Sequence, residues 1–97
     1  PKLFKNDGTE DIYRGNPSKK ARRACPQELW GKAQIRMDSI IESSSIHEVG
    51  QTPGLRLREL SGNRSDQYRA ELNDQYRICF IWTDKGARCI EIVDYHR

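Results

Sequence analysis

The apolar residues of this chain change their step once, at Leu55, and that change constrains the fold more than any other feature. Upstream, Leu29, Ala33, Met37, Ile40 and Ile41 recur at steps of four and three. Such spacing lays one apolar stripe along an amphipathic helix. Pro26 suits its first position, and its end is expected near Ser43 to Ser45. Trp30 flanks the stripe and reads as core packing. Ser18 is the natural N-cap of a shorter basic helix running to about Ala24, and Thr9 to Tyr13 suits a helical turn that Gly15-Asn16-Pro17 breaks. Ahead of these, Leu3 and Phe4 suit a short strand that Asp7-Gly8 ends.

Downstream of the loop Gln51-Thr52-Pro53-Gly54 the step is that of strands. Four are expected, at Leu55 to Leu60, Gln67 to Leu72, Gln75 to Thr83 and Arg88 to Tyr95. Ser61 to Asp66 reads as a polar loop and Asn73-Asp74 as a tight hairpin turn. The run from Tyr76 to Trp82 is apolar on both faces except at Arg77, which suits a central strand with helices over one side. Helices first and an antiparallel sheet after make an α+β class. The 97 residues, 35% apolar and 32% charged, fit a single domain over 1–97 with a thin core.

Several chemistries have no residues to support them. The three cysteines, Cys25, Cys79 and Cys89, show no C-x-x-C spacing, so neither a disulfide framework nor a metal site is expected, and no cofactor. Gly-rich phosphate loops, H-E-x-x-H and G-x-S-x-G are missing from the sequence. A membrane helix needs about 20 consecutive apolar residues, and the chain has no such run. A soluble, cytoplasmic protein is the expectation, and, because the chain opens on Pro1 without an initiator Met, the loss of a residue or more upstream is an expectation too.

The net charge of +3 is unevenly spread. Residues 14–36 carry 7 basic groups against 1 acidic, and the excess centres on Lys19, Lys20, Arg22 and Arg23. Such a patch reads either as a nucleic-acid contact or as a solvated helix face. A second group emerges from register arithmetic. With the last turn centred on Lys85-Gly86, Asp84 pairs with Ala87, Arg77 falls opposite Asp94, and His96 lies two residues further on the same face. A cation, a carboxylate and an imidazole there are an ordinary cross-strand ion pair beside a chain end, or a site for phosphodiester chemistry. Arginine holds a phosphate bidentately and histidine moves protons near neutrality, while RNA supplies its own nucleophile in the 2'-OH. A one-residue bulge would separate the three. Tyr68, Tyr76 and Tyr95 are possible base-stacking platforms, Tyr95 the foremost because Asp94 and His96 flank it. His47 has no partner by spacing and reads as a surface residue.

Three stretches make the sequence familiar: Leu57-Arg58-Glu59-Leu60-Ser61-Gly62-Asn63-Arg64, then Leu72-Asn73-Asp74-Gln75-Tyr76-Arg77-Ile78-Cys79-Phe80, then Glu91-Ile92-Val93-Asp94-Tyr95-His96. Together they closely resemble the HigB toxins, or plasmid maintenance system killer proteins, of the RelE superfamily. The resemblance is strong over residues 55–96 and rests on the order of elements before that. It implies a RelE-like fold and a ribosome-dependent endoribonuclease that cleaves mRNA in the A site of the 70S ribosome, with a helix-turn-helix HigA antitoxin as its inhibitor. The toxin alone is expected as a monomer and the antitoxin complex as a larger assembly. By resemblance Arg77 matches the arginine on the scissile phosphate, Asp94, Tyr95 and His96 match the C-terminal residues of cleavage, and Arg64 matches a basic RNA-binding residue. Arg58 stands where some relatives carry histidine, and Ser61 where lysine is common. A gyrase-binding toxin of the ParE type on the same fold, and a non-catalytic RNA-binding module, are the rival classes.

Overall fold

The computed structural model describes residues 1–60 and 66–95. Helix α1 (Asp7–Arg14) starts where Asn6 Oδ1 accepts from Thr9 N–H at 2.9 Å, and ends at Gly15, whose φ of 78° only glycine adopts without strain. Helix α2 (Lys19–Ala24) is capped by Ser18, whose Oγ accepts from Ala21 N–H and donates to Asp11 Oδ2 at 2.6 Å. The second bond ties the start of α2 to α1. A Cβ at Gly8 would stand 2.6 Å from the Lys20 carbonyl oxygen, so the close approach of these helices depends on that glycine.

A single 3-10 turn over Gln27–Leu29 follows Pro26 and feeds helix α3 (Trp30–Glu42). The regular helix thus begins four residues after the expected position. Trp30, Ala33, Met37 and Ile40 form its buried stripe, and Trp30 Nε1 donates to the Cys25 carbonyl at 3.0 Å. A short helix α4 (Ile46–Gly50) occupies what reads as a polar stretch. Ser45 Oγ accepts from Glu48 N–H while the Glu48 carboxylate accepts from Ser44 N–H, a capping arrangement that starts the turn. His47 lies on it, exposed, with its Nε2 3.1 Å from Gln51 Nε2.

The sheet is an antiparallel meander in the order β1 (Arg58–Glu59), β2 (Gln67–Glu71), β3 (Tyr76–Thr83) and β4 (Gly86–Asp94). The first strand is far shorter than Leu55 to Leu60, although Leu55 still contributes a carbonyl to Glu71 N–H. Leu72 N–H donates to Tyr76 O, so residues 73–75 make the hairpin rather than a two-residue Asn73-Asp74 turn. Asn73 Oδ1 accepts from both Gln75 and Tyr76 N–H groups and fixes this wider loop.

One face of the sheet presents Ala70, Leu72, Ile78, Phe80, Ala87, Ile90 and Ile92 to Ile12, Ala21, Ala33, Met37 and Ile40 of the helices. Thr9, fully buried, accepts the Ile92 N–H at 3.1 Å and so satisfies an edge donor of β4. The expected N-terminal strand is a single parallel bridge, Phe4 to Ile90, with Ile90 N–H donating to Leu3 O.

The pairing of β3 with β4 contains a β-bulge. Thr83 pairs with Gly86, Trp82 with Ala87 and Ile81 with Arg88, yet Cys79 pairs with Glu91. Two residues of β4, Cys89 and Ile90, therefore face Phe80 alone, and Cys89 has a φ of 55°. Beyond the bulge Arg77 opposes Val93 and Tyr76 opposes Asp94. The expected pairing of Arg77 with Asp94 is overturned. Moving the turn from Lys85-Gly86 to Asp84-Lys85 shifts the register by two and preserves the faces. The extra residue shifts it by one, which sends Asp94 to the other face from Arg77.

Candidate functional site

The face turned away from the helices carries an unusual concentration of arginine. Arg58 on β1 stands directly opposite Arg69 on β2, Arg69 pairs with Cys79 on β3, and Arg77 follows two residues earlier on β3 opposite Glu71. Together with Arg56 these side chains line a cleft of about 150 Å³. Four guanidinium groups against the Glu71 carboxylate leave a formal +3 there. Like charges directly opposite across strands oppose pairing, so the cluster is not explained by the stability of the sheet.

Arg77 is held by backbone rather than by acid. Its Nη1 donates to the Asn73 carbonyl and to the Tyr76 carbonyl, the latter at 3.1 Å. Glu71, its cross-strand neighbour, points its carboxylate instead at Arg56, with Oε1 3.9 Å from Nε. Among the described residues neither Arg58, Arg69 nor Arg77 has a carboxylate within 4.0 Å. A guanidinium held by neutral carbonyl acceptors has no countercharge from them, which suits an oxyanion as ligand.

Tyr95 closes this group. The strand pairing continues one step past Asp94, with Tyr95 N–H donating to Gln75 O at 2.7 Å, and the parity set by the bulge turns the ring to the arginine face. The Arg69 and Arg77 guanidinium carbons lie 5.3 and 5.5 Å from its centroid. Its hydroxyl is 4.0 Å from Cys79 Sγ. Burial pushes the Cys79 thiol up, only partly opposed by the contact with Tyr95, so Cys79 stays a neutral neighbour of the phenol.

The structure thus brings Arg58, Arg77 and Tyr95 together and leaves Asp94 out, exposed on the other face and accepting from Gln75 Nε2 at 3.1 Å. His96 and Arg64, with Ser61, lie outside the described residues. Tyr68 and Tyr76 pack against the core, Tyr68 stacked on Phe80 with centroids 5.9 Å apart. Lys19, Lys20, Arg22 and Arg23 ride on α2 in the helical layer, on the opposite side of the sheet from the cleft. Lys20 pairs there with Asp7 at 3.0 Å and Arg22 donates to the Pro17 carbonyl. A wider groove of about 510 Å³ runs beside them, with Lys5, Lys20 and Arg23 along it.

Two residues of the cluster, Arg69 and Arg56, escape sequence reasoning. Arg69 was within reach, since alternation in Gln67–Glu71 puts it on the face of Glu71, away from buried Ala70. Arg56 was not, because a φ of 49° ahead of a two-residue strand breaks the alternation that would place it. A family model described as RelE-like toxin of type II toxin-antitoxin system HigB matches residues 2–96 of the chain. No curated protein matches it.

Proposed function

Because the chain belongs to the HigB-like family of RelE-like toxins of type II toxin-antitoxin systems, we propose that it poisons translation as a ribosome-dependent endoribonuclease. The observation that carries this reading is the cleft of Arg58, Arg69 and Arg77, charged and without a carboxylate within 4.0 Å among the described residues, with Tyr95 against Arg69 and Arg77. An anion is the natural occupant, and the phosphate of an RNA strand fits both the charge and the aromatic ring beside it.

In the proposed reaction the 2'-OH attacks the adjacent phosphorus in line. A new P–O bond forms as the bond to the 5'-oxygen breaks, leaving a 2',3'-cyclic phosphate and a 5'-OH. A base takes the 2'-OH proton and an acid returns one to the 5'-oxygen. Arg77 and Arg69 would bind the non-bridging oxygens, whose charge grows in the transition state. His96, next in sequence to Tyr95, is the proton-transfer group, with the Tyr95 hydroxyl as its partner in the second transfer. Asp94 lies on the wrong face to orient Arg77 and is assigned to His96. The reaction calls on no metal ion or other cofactor. Arg58 and Arg64 would bind flanking RNA. The patch of Lys19, Lys20, Arg22 and Arg23, on the other side of the sheet, is free to contact ribosomal RNA while the cleft holds mRNA; this division of labour would make naked RNA a poor substrate.

A type II toxin implies an antitoxin. The expected partner is a HigA-like helix-turn-helix protein encoded next door, which should rescue growth and co-purify with a toxin that is monomeric alone. Mapping of mRNA 5' ends after induction tests the function. Codon-phased cuts inside open reading frames are expected, whereas intact message with DNA-damage signalling would replace the nuclease by a gyrase-binding toxin.

A further inference from the structure

The arginine cleft carries more charge than one phosphate needs, and its arginines come from both sides of β2. Arg58, Arg69 and Arg77 come from three adjacent strands, which span about 10 Å. Arg69 and Arg77 stand against Tyr95, whereas Arg56 and Arg58 come from the edge segment on the far side of β2. Two local costs accompany this layout. Arg58 and Arg69 are a like-charged cross-strand pair, and Arg56 reaches the cleft from a left-handed backbone with φ 49° that non-glycine residues seldom adopt. Neither helps the chain to fold, and strain of this kind marks places where a ligand sets the requirement.

We infer that the cleft holds two successive phosphates of one RNA strand, the scissile phosphate at Arg69 and Arg77 and its neighbour at Arg56 and Arg58. The naming of one phosphate as scissile rests on the nuclease reading; the pair of sites does not. Paired phosphates also occur in a free nucleoside diphosphate, and continuity across three strands favours the polymer.

The probe is a 2'-O-methyl RNA trinucleotide, which carries two phosphodiesters and cannot form the cyclic product. Its affinity is followed by NMR titration at several salt concentrations. Binding should weaken as salt rises, and more steeply the more phosphates the cleft neutralises, so the slope of log affinity against log salt reports the charge contacts made. The double variant Arg56→Gly/Arg58→Gln should lose about half of that slope. Glycine relieves the left-handed backbone, so the thermal midpoint of Arg56→Gly alone should not fall, which separates lost charge from lost fold. Lys85→Gln, in the distant β3–β4 turn, should leave the slope unchanged. An undiminished slope in the double variant, absence of saturable binding by the parent, or displacement by ADP at concentrations below those at which the trinucleotide binds would each overturn the two-phosphate site. Cleavage of mRNA on programmed ribosomes is scored separately. A parent that binds with the full slope but never cuts keeps the site and loses the nuclease, and one that cuts while the variant keeps its slope does the reverse.

Discussion

Arg77→Ala should separate catalysis from folding by a wide margin. The guanidinium makes two hydrogen bonds to the Asn73 and Tyr76 carbonyls and one aromatic contact with Tyr95. In a half-buried setting each hydrogen bond contributes about 0.5–1.5 kcal/mol net and the cation–π contact about 0.5–1 kcal/mol. Water can reach the exposed side of the hairpin loop and replace part of this, so a loss of about 1–2 kcal/mol of stability is expected out of about 5–15 kcal/mol for a domain of this size. The variant should remain folded, with a melting temperature about 5–10 °C lower. Removal of one preorganised donor to a developing oxyanion costs about 10²–10³ in rate. Arg77→Lys keeps the charge but offers no fork, so it cannot bond both carbonyls and clasp two phosphate oxygens; its rate should fall between the other two. Single-turnover cleavage on programmed ribosomes, with circular-dichroism melting of the same preparations, makes the comparison. A folded Arg77→Ala protein that cuts at the parental rate would refute the phosphate role and, with it, the reason given for the arginine cluster.

Neutralising Lys19, Lys20, Arg22 and Arg23 should weaken ribosome binding and reduce its salt dependence, with single-turnover cleavage at saturating ribosome nearly unchanged, since phosphate contacts of this kind supply affinity rather than chemistry. His96→Gln should slow cleavage by about 10²–10⁴ while melting like the parent, and a parental rate would move the proton transfer to Tyr95, Asp94 or the ribosome. Deleting Cys89 should close the bulge and leave both faces as they are, because Ile90 then opposes Phe80 while Glu91 to Asp94 keep their partners; melting and cleavage close to the parent's are expected, and loss of cleavage from a folded variant would show that the bulge does more than set the faces. The buried Cys25 thiol is pushed up to about 11 from 9.0. Its folded pKa lies above the unfolded one, so its contribution is complete below pH 9 and is lost as pH rises through about 11. Tyr13, raised chiefly by its bond to Asp38, and Tyr68 and Tyr76, raised by burial, act in the same direction. The test is therefore the difference between parent and Cys25→Ala in urea midpoints across that window, where the variant should show the shallower decline.

The elements that follow from side-chain period were legible in the sequence, and those that depend on single backbone conformations were not. Met37 and Ile40 sit in the core as the stripe on α3 requires, Ser18 caps α2, and the apolar run of β3 lies between two strands with helices over one side. Helix α4 left a mark in Ser45 and Glu48, but five residues are too few for an apolar stripe to register. The three-residue hairpin loop turns on Asn73 Oδ1 taking two N–H groups, a local bond that competes with the tighter turn and that residue type alone does not decide. The bulge left a trace in the spacing of buried Ala87, Ile90 and Ile92, three then two. Cys89 blurs it, because a small side chain of intermediate burial suits either face.

That one extra residue changes the chemistry of the cleft more than its position. With unbroken alternation Asp94 would have faced Arg77, and the result would have been a surface ion pair contributing about 0–1 kcal/mol and cancelling the charge that binds an anion. The bulge puts the Tyr95 ring there instead. An aromatic face attracts a guanidinium through its quadrupole and orients it, yet adds no negative charge, so Arg69 and Arg77 are held while remaining formally cationic. The carbonyls of Asn73 and Tyr76 act on Arg77 in the same sense, as neutral acceptors. Packing and hydrogen bonding thereby position the cations without neutralising them. A cluster built in this way would gain most of its stabilisation on binding an anion, and in the proposed reaction it would gain more as charge builds on the phosphate oxygens from substrate to transition state.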